Sequence, residues 1–300
     1  MKILMFVLFA QLSKCEDLSA KIDYELVETL FNYEYERSNH SEDVVTSKKN
    51  AFSITVLSDV PVLRQGMLDI GPDTYYFWMD GRKLEELEPG VFDNQNITEE
   101  IRLERNELTV IKTGTFKNLK IKKLDLAYNK ITHVEEKAIS DLPNLWEVHL
   151  SRNKIVQFHD NSFVNTPSMW AFDMSCNKLE KLGKGWFRFM TKNKTVIIGV
   201  AHNEIREIDS GAFEGINVWN LALDHNKLEQ IPEQVFTKNN IQLLYIEDNQ
   251  LESLPEGFFG QKNLTEIGIR NNRWGSDFQR KLEGFTKEIR ARTSSNSVSC

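Results

Sequence analysis

Apolar and polar positions recur in one frame over most of the chain: apolar-x-x-apolar-x-apolar-x-x-Asn-x-apolar. Clear copies begin at Thr98 (TEEIRLERNEL), Ile121 (IKKLDLAYNKI), Leu145 (LWEVHLSRNKI), Met169 (MWAFDMSCNKL), Thr195 (TVIIGVAHNEI), Val218 (VWNLALDHNKL), Ile241 (IQLLYIEDNQL) and Leu264 (LTEIGIRNNRW). Successive copies are 23, 24, 24, 26, 23, 23 and 23 residues apart. A degenerate copy starts at Thr74 (TYYFWMDGRKL) and a fainter one near Ala51. The residues between frames also keep register. Thirteen after each start stand Leu87, Ile111, Val134, Phe158, Leu182, Ile208, Ile231 and Leu254. Eighteen after stand Phe92, Phe116, Ile139, Phe163, Phe187, Phe213, Phe236 and Phe259. Two apolar anchors and an Asn held in phase through so many copies mark a repeat array rather than a set of independent helices and strands.

The spacing predicts the element in each copy. Positions 4 and 6 point inward from a short strand, because side chains alternate along extended chain. The strands stack into one parallel sheet. Position 9 is Asn106, Asn129, Asn153, Asn177, Asn203, Asn226, Asn249 and Asn272. An amide donates and accepts, so a column of asparagines can satisfy the backbone groups that a turning chain buries. The Phe column fills the core on the other side. No copy buries its apolar face alone. Length alone suggests two domains, but a shared core makes one continuous solenoid the expectation.

This frame resembles the leucine-rich repeat proteins, of the typical extracellular length class. Its G-x-F triplets, Gly114-Thr115-Phe116, Gly211-Ala212-Phe213 and Gly257-Phe258-Phe259, belong to the same pattern. The resemblance spans about 74–274. It implies an α/β fold: a solenoid, or horseshoe, with a parallel concave β-sheet and a short helical or irregular convex side. It also implies a recognition role, although fold by itself does not set function.

Segments outside the array complete the organisation. Residues 1–15 (MKILMFVLFAQLSKC) have a basic start, an apolar run from Ile3 to Ala10 and a small-residue end. They read as a secretory signal peptide cleaved after Ala10 or, preferably, Cys15. Residues 16–50 are expected to be an N-terminal cap or mobile segment, 51–275 the repeats (about eight clear, two degenerate), and 276–300 a capping helix and tail. Phe278, Leu282, Phe285 and Ile289 have helical spacing behind Ser276 as N-cap. The family's usual C-terminal flank carries two cysteines where Ser276 and Phe278 stand here, so this cap is expected to hold by packing alone.

Composition narrows the partners. A formal charge of −7 argues against nucleic acid, and no apolar run is long enough to span a bilayer. Asn39, Asn96, Asn193 and Asn263 open N-x-S/T triplets and are expected glycosylation sites. The two residues added in the copy from Met169 fall near Asn193, so that glycan is expected on a turn at the rim. Only Cys15, Cys176 and Cys300 are present. After signal cleavage Cys300 is a candidate for an intermolecular disulfide and a linked dimer; a bond to Cys176, or free thiols, are the other readings.

Candidate chemistry lies at positions 2, 3, 5, 7 and 8, on or beside the concave face. Tyr75, Trp78, Trp146, Trp170, Trp219 and Tyr245 are the candidate contacts for an extracellular protein or glycan, since clustered exposed aromatics make binding hot spots. They can equally stack on one another and stiffen the sheet. At position 8, Cys176, His202, His225 and Asp248 are successive metal-ligand types. Four strands span roughly 14 Å, whereas one zinc needs its ligands within about 2.3 Å. No metal site is expected, and proton-dependent repulsion of His202 and His225 is a weaker alternative. His40, His133 and His159 read as surface residues. No catalytic motif is present, and no catalytic residue or cofactor is expected. The chain is thus expected to be a secreted, non-enzymatic recognition protein, similar to the secreted mosquito leucine-rich repeat immune proteins but without their paired-cysteine motif and C-terminal coiled coil. The alternative is a matrix or adhesion protein.

Overall fold

The computed structural model describes residues 34–35, 47–49, 53–68, 70, 74–156, 159 and 161–295. The chain divides into two compact units, Met1–Met169 and Trp170–Cys300. The division falls one residue into the copy that begins at Met169. In an array each repeat touches mainly its neighbours, so no single centre forms.

In the first unit, the strands Ser53–Val56, Tyr76–Trp78, Glu100–Arg102, Lys123–Asp125 and Glu147–His149 pair in parallel in that order. Phe77, Ile101, Leu124 and Val148 are each strand's middle residue, and each is fully buried. Their neighbours on either side therefore face the opposite, concave side. Two further strands, Glu34–Tyr35 and Ser47–Lys49, add on at Ser53–Val56 in antiparallel fashion. The described part of the expected N-terminal cap is thus sheet; its other residues and the signal segment lie outside the described residues. On the convex side Phe92 and Phe116 stack at 5.5 Å, and Phe77 meets Phe92 edge-on. Leu87, Ile111 and Val134 are buried beside them; Phe158 lies outside the described residues.

In the second unit, Ala171–Asp173, Thr195–Gly199, Asn217–Ala222, Leu243–Tyr245 and Glu266–Gly268 pair in parallel. The register slips between Val196 and Ile197, which pair with Val218 and Asn220. Trp219 is left as the bulged residue. Phe187 and Phe213 stack at 5.2 Å, and Leu182, Ile208, Ile231 and Leu254 are buried. The Phe column departs from the expected register at its end. Phe258, not Phe259, is fully buried and meets Phe236 at 5.5 Å. The short helix Glu256–Phe259 turns Phe259 outward onto Phe278 and Phe285.

The Asn column performs the expected task. Asn129 Nδ2 donates to Leu126 O in its own copy and to Leu103 O in the copy before, at 3.1 and 2.9 Å. Its Oδ1 accepts from Leu108 N at 3.1 Å. Asn203, Asn226, Asn249 and Asn272 repeat the same three contacts in the second unit. The column ends where the degenerate copy has Arg82, whose buried Nε finds no partner among the described residues. Immediately before each Asn, position 8 is left-handed: Arg105, Tyr128, Arg152, Cys176, His202, His225, Asp248 and Asn271 have φ of +51° to +59°. Gly81 holds the same place in the degenerate copy.

The last repeat is closed by the helix Ser276–Ser295. Ser276 is its first residue and Gly275 O accepts the first helical bond, from Gln279 N. Ser276 is therefore one residue inside the cap position expected for it. Leu282, Phe285 and Ile289 are buried as the spacing predicts. Phe278 is only half-buried, against Trp274.

Candidate functional site

Within the first unit, register brings positions 3 and 5 into two concave rows. One row is Tyr76, Glu100, Lys123 and Glu147; the other is Trp78, Arg102, Asp125 and His149. Lys123 Nζ lies between Glu100 and Glu147, at 3.5 and 3.7 Å. Burial alone would lower its pKa, yet those carboxylates outweigh it and the pKa stands above the ordinary lysine value. Glu147 in turn lies 2.5 Å from His149 Nε2. Burial pulls His149 down, but the Glu147 bond and the Asp125 and Glu147 charges outweigh this and raise it. The reverse balance holds Glu147 below the ordinary carboxylate value, although its burial acts upward. Arg102 binds Asp80 at 2.5 Å and lies 4.9 Å over the Trp78 ring. Trp78 Nε1 donates to Glu100 at 3.0 Å. Burial raises Asp80 despite Arg102, and raises Glu104 with help from Asp125. The result is a band of alternating charge with aromatic edges.

Tyr245 apart, the second unit presents smaller residues at position 5: Asp173, Gly199, Ala222 and Gly268. A Cβ at Gly199 would meet Asp173 Oδ1 at 2.7 Å, and one at Gly268 would overlap the Glu247 carboxylate. Both glycines give space to a neighbouring acid. Beside them the His202 and His225 rings stack at 3.9 Å. Asp224 Oδ2 lies 3.0 Å from His225 Nδ1 and 4.0 Å from His202 Nε2. Asp248 Oδ2 lies 3.2 Å from His225 Nε2. Burial is the largest cause that raises both Asp224 and Glu247.

The six candidate aromatics are placed unevenly. Tyr75 and Trp146 are exposed, at 39% and 42%. Both stand just before a strand, at the border of the concave face. Trp78 lies inside the charged band, three strands away from the strand that follows Trp146. Trp170, Trp219 and Tyr245 are half-buried. The bulge places Trp219 with its Nε1 donating to Gln242. Tyr245 donates to Glu266 at 2.8 Å, and burial with that carboxylate pushes its hydroxyl well above the ordinary value. Asn96, Asn193 and Asn263 are exposed, and Asn193 stands on a bend outside the strands as expected. Asn39 lies outside the described residues. Cys176 is disulfide-bonded, which removes the free-thiol reading for this residue; Cys15 and Cys300 lie outside the described residues.

Several residues that shape these surfaces escaped the sequence reading. His149, Glu147 and Lys123 stand at positions 3 and 5 of the frame, and Asp80, Glu104, Asp224 and Glu247 at position 7. Their shared positions were a usable signal. The bare column of residue types gave no indication that position 7 of one copy meets position 8.

Residues 98–155 and 120–179 match the leucine rich repeat family, and residues 156–276 match the BspA type leucine rich repeat region with 6 copies. Together these matches cover more than half of the chain, which belongs to the leucine-rich repeat proteins. No curated protein matches the sequence. Among solved structures, a chain from the crystal structure of the TLR13–ssRNA13 complex is similar over 65% of this chain at 20% identity, with a TM-score of 0.47. This chain covers 32% of that one. Among the described residues, no helix is long and apolar enough to cross a membrane.

Proposed function

We propose that this leucine-rich repeat protein is a secreted, non-enzymatic recognition protein that holds an extracellular protein or glycoconjugate on the concave side of its first unit. The supporting observation is Trp146, 42% exposed, at the border of the band formed by Lys123, Glu147 and His149. An exposed aromatic anchor beside ordered charges has the make-up of an interface hot spot. The paired charges are already held in place, so a complementary partner meets a preorganised surface. Trp146→Ala with Tyr75→Ala should abolish capture of a specific partner from the fluid that holds the protein. Retained capture removes the proposal, and partner-independent self-association favours the matrix reading.

Secretion and glycosylation belong to the same proposal. The apolar leader and the exposed Asn96, Asn193 and Asn263 support it. An unshifted Asn193 peptide mass from material released by cells would refute the glycan there. The resemblance to secreted invertebrate repeat proteins favours a role in innate immunity, tested by whether depletion of the protein alters microbial clearance.

A further inference from the structure

The three residues His202, Asp224 and His225 come from two neighbouring repeats of the second unit, and nothing in the recognition surface uses them. We propose that they form a binding site for one divalent transition-metal ion of the zinc type. Each offers one ligand atom, and the three atoms lie within 4.8 Å of one another. The separation from Asp224 Oδ2 is 3.0 Å to His225 and 4.0 Å to His202. Ligands bound tetrahedrally at about 2.0–2.1 Å lie roughly 3.3 Å apart. Closing the 4.0 Å separation to that geometry takes about 0.7 Å, with the stacked rings turning so that their lone pairs converge.

Two observations separate this cluster from a chance group of polar residues. Asp224 has a side chain only 5% exposed, and its Oδ1 is buried with no hydrogen-bond partner among the described residues. Such an atom is costly unless something compensates it. Second, Asp248 stands 3.2 Å behind His225, at Nε2, while Nδ1 faces Asp224. A carboxylate on the far nitrogen is the arrangement that fixes the tautomer and orientation of a metal-binding imidazole. With Nε2 held by Asp248, the Nδ1 lone pair is the one offered to the ion, and any proton shared between Nδ1 and Asp224 leaves to solvent.

The surroundings select the ligand. Asp224 and Asp248 bracket His225 with carboxylates, which favours a cation at the site. Two imidazoles favour zinc, copper or nickel over calcium or magnesium, which take oxygen ligands. The spacing of position 8 alone argued against an ion. The site forms because Asp224 comes from position 7, and because the left-handed backbone at His202 and His225, φ +51° and +53°, sets their rings face to face.

The test is calorimetric titration of zinc ion into the full chain at neutral pH without reductant, so that Cys176 stays disulfide-bonded. One equivalent should bind with proton release. His202→Asn/His225→Asn should weaken binding by at least about a hundredfold, beyond the ~10–100-fold expected for Asp248→Asn, which acts behind the ligand. Asn is chosen because Asn271 already occupies the same left-handed position. Metal-free melting should match that of the unaltered chain, which separates lost binding from lost folding. In histidine ring NMR, zinc should shift His202 and His225 and leave His149 and His133 in place. No saturable binding below millimolar zinc, equal affinity in the double variant, or shifts at other histidines would each overturn the site.

Discussion

Glu147 and His149 stand two residues apart on one strand, and the His149 Nε2 lies 2.5 Å from the Glu147 carboxylate. The pair is buried at the concave face and flanked by Lys123. His149 is raised above its ordinary 6.5, so its contribution to stability is complete below about 6.5 and is lost as pH rises through the raised value. Glu147 is lowered from 4.5, so its contribution is complete above about 4.5 and is lost as pH falls through the lowered value. Both act together between those limits. Asp80, Glu104, Asp224 and Glu247 are raised, and their strain also eases on acidification. The chain should melt at a higher temperature at pH 5.5 than at pH 8. His149→Gln should flatten that difference, as read by calorimetry at the two pH values. An unchanged slope in the variant would show that the pair does not govern it.

The asparagine column gives a prediction graded by position. Asn129→Ala removes bonds to Leu103, Leu126 and Leu108, and all three partners are buried. Leu103 O and Leu126 O keep Asn106 and Asn153 as donors, so the orphaned Leu108 N sets the cost, and a loss of about 1–3 kcal/mol in urea unfolding is expected. Asn272→Ala, at the partly open end of the array, should cost less than half as much. Equal losses would mean that the column does not draw its strength from burial.

At position 8 the backbone, rather than the side chain, is the constraint. Tyr128 sits at φ +54° between Arg105 and Arg152, 4.5 and 4.8 Å from its ring. Tyr128→Gly and Tyr128→Val both delete the ring, so their difference isolates the left-handed strain. The valine variant should be the less stable by about 1–3 kcal/mol. Equal stability would remove the backbone argument.

The terminal helix closes the last repeat through aromatic packing. Phe285 is 8% exposed and meets Phe258 at 4.9 Å and Phe259 at 5.3 Å. Phe285→Ala should cost about 3–5 kcal/mol. Because stability in an array is nearly local, hydrogen exchange should rise first around residues 241–274. A uniform rise across the chain would contradict local capping.

Much of the fold was legible because the frame repeats what the core demands: inward residues at positions 4 and 6, Asn at 9 and Phe eighteen residues on. Four features were not. The left-handed turn at position 8 is hidden by residues such as Arg105, Tyr128 and Cys176, which do not favour it; the repeat geometry imposes it. The exchange of Phe259 for Phe258 follows from a four-residue helix that no spacing rule distinguishes from the turns of other copies. The concave network was illegible for a different reason. His149 meets Glu147 within a copy, but Lys123 meets Glu100 and Glu147 only across strands, and register decides those contacts. The bulge that re-aims Trp219 is likewise a matter of strand pairing.

The central claim is that the concave face of the first unit receives the partner. Cross-linking mass spectrometry of the protein in its native fluid tests it most directly. The account predicts partner links to Lys122 and Lys123, beside Trp146, and their loss in Trp146→Ala. Links confined to Lys117 and Lys120, outside the concave strands, or links that persist in the variant, would contradict it.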